Sequence, residues 1–193
     1  AQSRRENGPF VAFNCSSMST DLLRSELFGY VDGAFTGAAK GGKKGQFQLA
    51  EGGTLFFDEI GDLVYEGQGL LLRALENLTV ARVGAGSSER LVDVRIISAT
   101  HVNLAEAVCA RKFRQDVYHR VSRILLMVPP LRERLTDINQ LADYFMSKYA
   151  ADGVLAETPF SSDAIHELKG HSWPGNVREL ENVVMRIMLD VSP

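Results

Sequence analysis

Cysteine is scarce: Cys15 and Cys109 are the two in 193 residues, and neither has a second ligand at metal-binding spacing. That excludes a disulfide scaffold and a small structural zinc site, and both are read as buried, reduced thiols. No apolar run approaches the roughly 20 residues needed to cross a bilayer, and the opening AQSRREN has no apolar stretch of the kind a secretion signal requires. The sequence therefore reads as cytoplasmic, with no membrane partner. An excess of positive charge is also lacking. With 21 Lys and Arg against 24 Asp and Glu, the net charge is −3, which is a poor basis for gripping nucleic acid by bulk charge. Contact with DNA is expected only through a domain not present here. Internal repeats are absent. Hydrophobic residues at 45% and charged residues at 23% exclude disorder as the main state.

Short apolar runs alternate with helical patterns in the first two thirds, the signature of a parallel sheet flanked by helices. Strands are predicted at Phe10–Asn14, Thr54–Asp58, Val92–Ala99 and Ile124–Val128, and helices near Thr20–Phe28, Glu66–Asn77, Leu104–Ala110 and Phe113–Val121. After Pro129 and Pro130 only helices follow. Ile138, Leu141, Ala142, Phe145, Met146 and Tyr149 make one apolar stripe, and Val177, Leu180, Val183, Val184, Ile187, Met188 and Val191 another, with Pro174 suited to the first turn. The expectation is an α/β part over residues 1–130 and a small all-helical part over 131–193. Glycine-rich residues 29–45 and 84–88 read as loops.

The run Thr54-Leu55-Phe56-Phe57 ends in Asp58 and Glu59. Ligands of open α/β sheets collect beyond the carboxyl ends of the strands, so acids placed there meet bound ligand. The pair suits a nucleotide with magnesium: Asp58 holding the ion directly or through water, Glu59 polarising the attacking water. Two surface acids after an ordinary strand would look the same.

Residues Gly33-Ala34-Phe35-Thr36-Gly37-Ala38 reproduce the GAFTGA signature of the sigma-54-dependent transcriptional activators, the bacterial enhancer-binding proteins of the AAA+ class. Other matches follow in family order: Ser25-Glu26-Leu27-Phe28-Gly29, a Walker B-like Gly53-Thr54-Leu55-Phe56-Phe57-Asp58-Glu59, Phe113-Arg114 with Tyr118-His119-Arg120, and Trp173-Pro174-Gly175-Asn176-Val177-Arg178-Glu179-Leu180. The resemblance runs from about Pro9 to the end. It implies an AAA+ P-loop-type parallel sheet with flanking helices and a small helical lid. It also implies coupling of ATP and Mg2+ to remodelling of sigma-54 RNA polymerase holoenzyme by a homo-oligomeric ring, hexamer or heptamer.

By the same resemblance Gly33, Ala34, Phe35, Thr36, Gly37 and Ala38 touch sigma-54, and Asn14 switches Glu59 by a hydrogen bond from its amide. Thr100 and His101 stand at sensor I, His101 where family members often have Asn. Arg114 and Arg120 resemble arginine fingers that reach a neighbouring subunit's ATP, although six residues on one helix would turn them roughly 240° apart. Arg178 matches the sensor II arginine, and Trp173 reads as a packing anchor. The loop Arg82–Arg90 corresponds to a family insertion that moves with GAFTGA.

Phosphate cradling normally needs G-x-x-x-x-G-K-[ST] between a strand and a helix. The nearest stretch is Gly37-Ala38-Ala39-Lys40-Gly41-Gly42-Lys43-Lys44, with Lys44 in place of the hydroxyl residue. Family order puts the phosphate loop upstream of Ala1, so the chain is expected to be a fragment, inactive by itself. The alternative to a ring ATPase is therefore a non-hydrolysing sigma-54 interaction module. A metal-dependent phosphohydrolase on Asp58 and Glu59 alone lacks a supporting ligand cluster.

Overall fold

The computed structural model describes residues 3–16, 18–86, 89–151 and 160–190. Its elements run β1 (Phe10–Asn14), α1 (Thr20–Phe28), β2 (Gly29–Tyr30), β3 (Lys43–Lys44), α2 (Gln46–Leu49), β4 (Thr54–Asp58), α3 (Tyr65–Asn77), β5 (Thr79–Val80), β6 (Arg90–Leu91), β7 (Arg95–Ser98), α4 (Leu104–Cys109), α5 (Gln115–Val121), α6 (Asp137–Ala151), α7 (Ser162–Gly170) and α8 (Asn176–Asp190). Two compact units result, residues 1–125 and 126–193.

In the first unit, alternation in β4 buries Leu55 and Phe57 on one face, and β4 becomes the middle of a parallel sheet ordered β1-β4-β7. The register pairs Phe10 with Thr54 and Asn14 with Asp58 on one side, and Thr54 with Arg95 and Phe57 with Ser98 on the other. Helix α1 starts where the Ser19 side chain accepts from the Leu22 amide and delivers Leu23 and Leu27 to the buried face; α3 adds Leu71, Ala74 and Leu75. Phe47 of α2 fills the remaining space, its ring 5.9 Å from Phe28 and 6.2 Å from Phe57. The opposite sheet face carries Phe10 stacked on Phe56 at 5.9 Å, with Phe10 and Ile97 exposed.

Several expectations change. Ile124–Val128 forms no strand: all five side chains are exposed, from 71% to 83%. A β-prone run becomes a strand only beside a chain that accepts its hydrogen bonds, and among the described strands β7 pairs only with β4. The strand at Val92–Ala99 shortens to β7. Arg114 stands outside helix α5 as its extended N-cap, so it is not on one helix with Arg120. Pro174 lies two residues before α8, in a turn where Trp173 and Asn176 take left-handed backbone (φ 50° and 52°). Cys15 is buried, but Cys109 at the end of α4 is exposed.

The second unit has its own core. Leu131, Ile138, Ala142 and Phe145 meet Leu180, Val184 and Met188 of α8, with Trp173 among them. The indole Nε1 donates to the Leu168 carbonyl at 2.7 Å, and Asn176 Oδ1 accepts from the Leu131 amide at 2.8 Å. Val191 lies outside the described residues, as do Ser87 and Ser88 of the second loop.

Candidate functional site at the carboxyl ends of the sheet

Three parallel strands end at one edge, which brings Asn14, Asp58, Glu59, Thr100 and His101 into one neighbourhood. Asn14 and Asp58 face each other in register, and the Cys15 amide donates to the Asp58 carbonyl at 2.8 Å. Beyond β4 the Ile60 amide donates to the Ala99 carbonyl at 3.0 Å, which ties this strand end to β7. Glu59 sits at that junction with φ 54° and ψ 50°, a left-handed conformation that costs an acidic side chain about 1–3 kcal/mol and persists only where the surroundings enforce it. The turn at Ile60–Asp62 packs so closely on the β7 exit that a Cβ on Gly61 would stand 2.6 Å from Thr100 Oγ1. Glycine is required there by contact.

Glu59 Oε2 lies 2.8 Å from His101 Nδ1 and accepts from the His101 amide at 3.3 Å. The carboxylate's hydrogen bond, and then its charge, hold the exposed imidazole above its ordinary pKa. Asn14 Oδ1 accepts from the Ser16 amide at 2.8 Å, the turn-forming use of asparagine at a strand end. Thr100 Oγ1 accepts from the Val102 amide at 3.0 Å and so fixes the turn that carries His101. Two residues escaped the sequence reading. Ser16 Oγ donates to Asp62 Oδ2 at 3.2 Å, and Asp62, with Asp58, adds to the burial that pushes the Cys15 thiol up to about 12. The signal available was the Gly61-Asp62 turn directly after the strand.

For a divalent ion the donors near β4 are few. Among the described residues no group of three His, Cys, Asp or Glu side chains could hold a metal. A single partly exposed carboxylate, Asp58, fits Mg2+, which takes one or two protein carboxylates and completes its shell with phosphate oxygens and water.

The arginines lie elsewhere. Arg114 grips Asp116 with two bonds, Nε to Oδ1 at 3.1 Å and Nη2 to Oδ2 at 2.7 Å, which holds the Asp116 carboxyl below its usual range. Its amide donates at 2.7 Å to Oε1 of Gln68, a fully buried side chain whose Nε2 donates to the Leu63 and Lys112 carbonyls. Gln68 is the third residue missed; a polar side chain on the Leu71–Leu75 face of α3 was its signal. Arg120 Nε donates to the Leu75 carbonyl at 2.7 Å, closing the end of α3. Arg178 is an exposed residue of α8 in the second unit.

In the loop at residues 33–38, Gly33 and Gly37 have φ 71° and 90°, and Phe35 stays 47% exposed while its ring meets Tyr30 edge-on at 5.0 Å. The second loop is bound to its base: the Val31 amide donates to the Val83 carbonyl at 3.0 Å, and the Val83 amide to the Gly29 carbonyl at 2.9 Å. Residues 37–44 do not join a strand to a helix. Lys43 and Lys44 form β3, and Lys43 Nζ holds the Glu26 carboxylate at 2.6 and 2.9 Å.

Two family models match the chain: the Sigma-54 interaction domain over residues 1–127 and the AAA+ ATPase lid domain over residues 132–191. Curated relatives include the Nif-specific regulatory protein of Herbaspirillum seropedicae, 47% identical over 95% of this chain and 34% of that protein. A protein named Limonene hydroxylase from Geobacillus stearothermophilus is also 47% identical, over 97% of this chain and 35% of its own length. Its name describes a far longer protein and says nothing of the matched third. A crystal structure of NtrX from Brucella abortus in complex with ATP superposes with a TM-score of 0.84 at 38% identity, covering 97% of this chain and 40% of that one. The chain spans about a third of the length of the curated relatives it matches.

Proposed function

Because the chain belongs to the sigma-54 interaction domain family and carries an AAA+ lid, we propose that it is the central AAA+ domain of a bacterial, cytoplasmic sigma-54-dependent transcriptional regulator. It couples ATP binding and hydrolysis to remodelling of sigma-54 RNA polymerase through residues 33–38. The observation that carries this is the delivery of Asp58 and Glu59 from the middle strand to the edge where Thr100 and His101 also end. The relative NtrX, solved in complex with ATP, supports nucleotide binding by this fold.

In this mechanism Asp58 would hold Mg2+, whose chemistry there would be to neutralise phosphate charge. Glu59 takes the proton of the attacking water. Thr100 and His101 read the terminal phosphate, and Arg178 links the helical unit to nucleotide. Arg114 and Arg120, as fingers in a homo-oligomeric ring of six or seven subunits, stabilise charge on the transferred phosphoryl group of a neighbour. Both must leave present partners, Asp116 and the Leu75 carbonyl. Phe35 and Thr36 contact sigma-54, and the hydrogen bonds between the Val31 and Val83 segments let the two loops move together.

A second reading, a sigma-54 interaction module without hydrolysis, is favoured by one observation. The lysine-rich stretch nearest to a phosphate-binding pattern is a short strand whose Lys43 is engaged by Glu26.

ATP turnover measured against protein concentration, beside sigma-54 association, separates the two. With the chain extended upstream to include a phosphate loop, cooperative turnover that Glu59→Gln lowers about 100-fold or more and Arg114→Ala disperses is the expected result. Absent turnover with sigma-54 association lost only in Phe35→Ala supports the interaction module instead. Sigma-54 association retained in Phe35→Ala counts against both.

A further inference from the structure

Glu59 leaves β4 in the left-handed region, and its Oε2 meets two nitrogens of one residue, Nδ1 of His101 at 2.8 Å and the His101 amide at 3.3 Å. An ionised carboxylate only accepts, so Nδ1 carries the proton and donates. The place of His101 is set by backbone. The Ile60 amide holds the Ala99 carbonyl at 3.0 Å, and the Thr100 hydroxyl accepts from the Val102 amide at 3.0 Å; Gly61 lets this turn approach. Asn14, the residue expected to engage Glu59, has its side-chain oxygen on the Ser16 amide.

We propose that His101, through its Nδ1–H, is a positioning residue for Glu59: it holds the carboxylate against the exit of β7, and Glu59 becomes able to take a proton from water when that bond is given up. This rests on the hydrolytic role given to Glu59 above. The bond forms between partly exposed groups, the His101 side chain being 71% and the Glu59 side chain 32% exposed, so it can exchange for contacts with a ligand. Glu59 first, and Asp62 more weakly, are the charged groups acting on the ring, and both favour imidazolium. As pH falls, the neutral donor becomes a cation and the hold on Glu59 tightens.

The test is an NMR titration of the His101 ring in the full chain without nucleotide, in wild type, Glu59→Gln and Asn14→Ala, followed by the pH profile of ATP turnover in wild type and His101→Asn with the chain extended upstream to include a phosphate loop. The His101 ring is expected to titrate above the ordinary imidazole value near 6.5, and Glu59→Gln to lower it toward that value, with Asn14→Ala leaving it in place. His101→Asn, which keeps a donor but does not titrate, is expected to flatten the acid limb of turnover. A His101 titration unmoved by Glu59→Gln, an equal fall in Asn14→Ala, or an unchanged acid limb in His101→Asn overturns the proposal. Full turnover in Glu59→Gln refutes instead the hydrolytic role of Glu59, and the pair is then judged by the titration alone.

Discussion

At the scale of single residues, chemistry was easier to see in the sequence than partnership. Asp58 and Glu59 announced themselves as acids ending an apolar run, and Phe35 as an aromatic among glycines. Nothing in the sequence places Glu59 on His101, since 42 residues separate them and only the parallel register of β4 and β7 closes the gap. Gln68 was hidden for the opposite reason. A lone amide on an apolar helix face looks like an error until its three backbone partners, the Leu63 and Lys112 carbonyls and the Arg114 amide, are known. Removing it strands buried polar groups, and each such group costs about 1–3 kcal/mol. Gln68→Leu is therefore expected to lower stability by about 2–4 kcal/mol in urea unfolding despite its better apolar match. A loss below about 1 kcal/mol would mean that water satisfies those groups.

Elements depended on their neighbours. Helix α1 was legible because its cap and its apolar spacing are local properties. The run Ile124–Val128 was not, because strand formation needs a second chain at hydrogen-bonding distance. Its five exposed apolar side chains make a ready surface for association. Leu126→Lys is expected to reduce concentration-dependent light scattering of the chain while leaving its far-UV spectrum in place; equal scattering would show that another surface drives association. The paired loops offer a second test at this scale. A Cβ at Gly84 would lie 2.9 Å from the Ala34 Cβ and 3.0 Å from Val31 Cγ2, at a φ of 82°. Gly84→Ala should therefore accelerate hydrogen exchange at the Val31 and Val83 amides, and unchanged protection would show that the two loops are not held at this point.

At the scale of the whole molecule, two cores are built from separate stretches of chain, one around Leu55, Phe57 and Leu71 and one around Ile138, Trp173 and Leu180. The single tryptophan belongs to the second. Leu180→Ala removes a fully buried side chain there and is expected to cost about 2–5 kcal/mol. Tryptophan fluorescence should then report an earlier thermal transition, with Val11–Phe13 amide exchange in the first unit unchanged. Matching losses at both places would show that the units unfold as one.

While the short elements β2, β3, α2, β5 and β6 went unread, the sequence by itself determined the class of sheet, the three strands β1, β4 and β7 with helices α1, α3, α4 and α5 in their order, the acids at the end of β4 and the family. These follow from periodicity, caps and short motifs, all properties of neighbouring residues. Tertiary structure alone decided that Glu59 meets His101, that Arg120 closes α3 and that residues 124–128 form no strand. Each depends on which chain segments lie side by side, and pairing between segments tens of residues apart leaves no local periodicity to read.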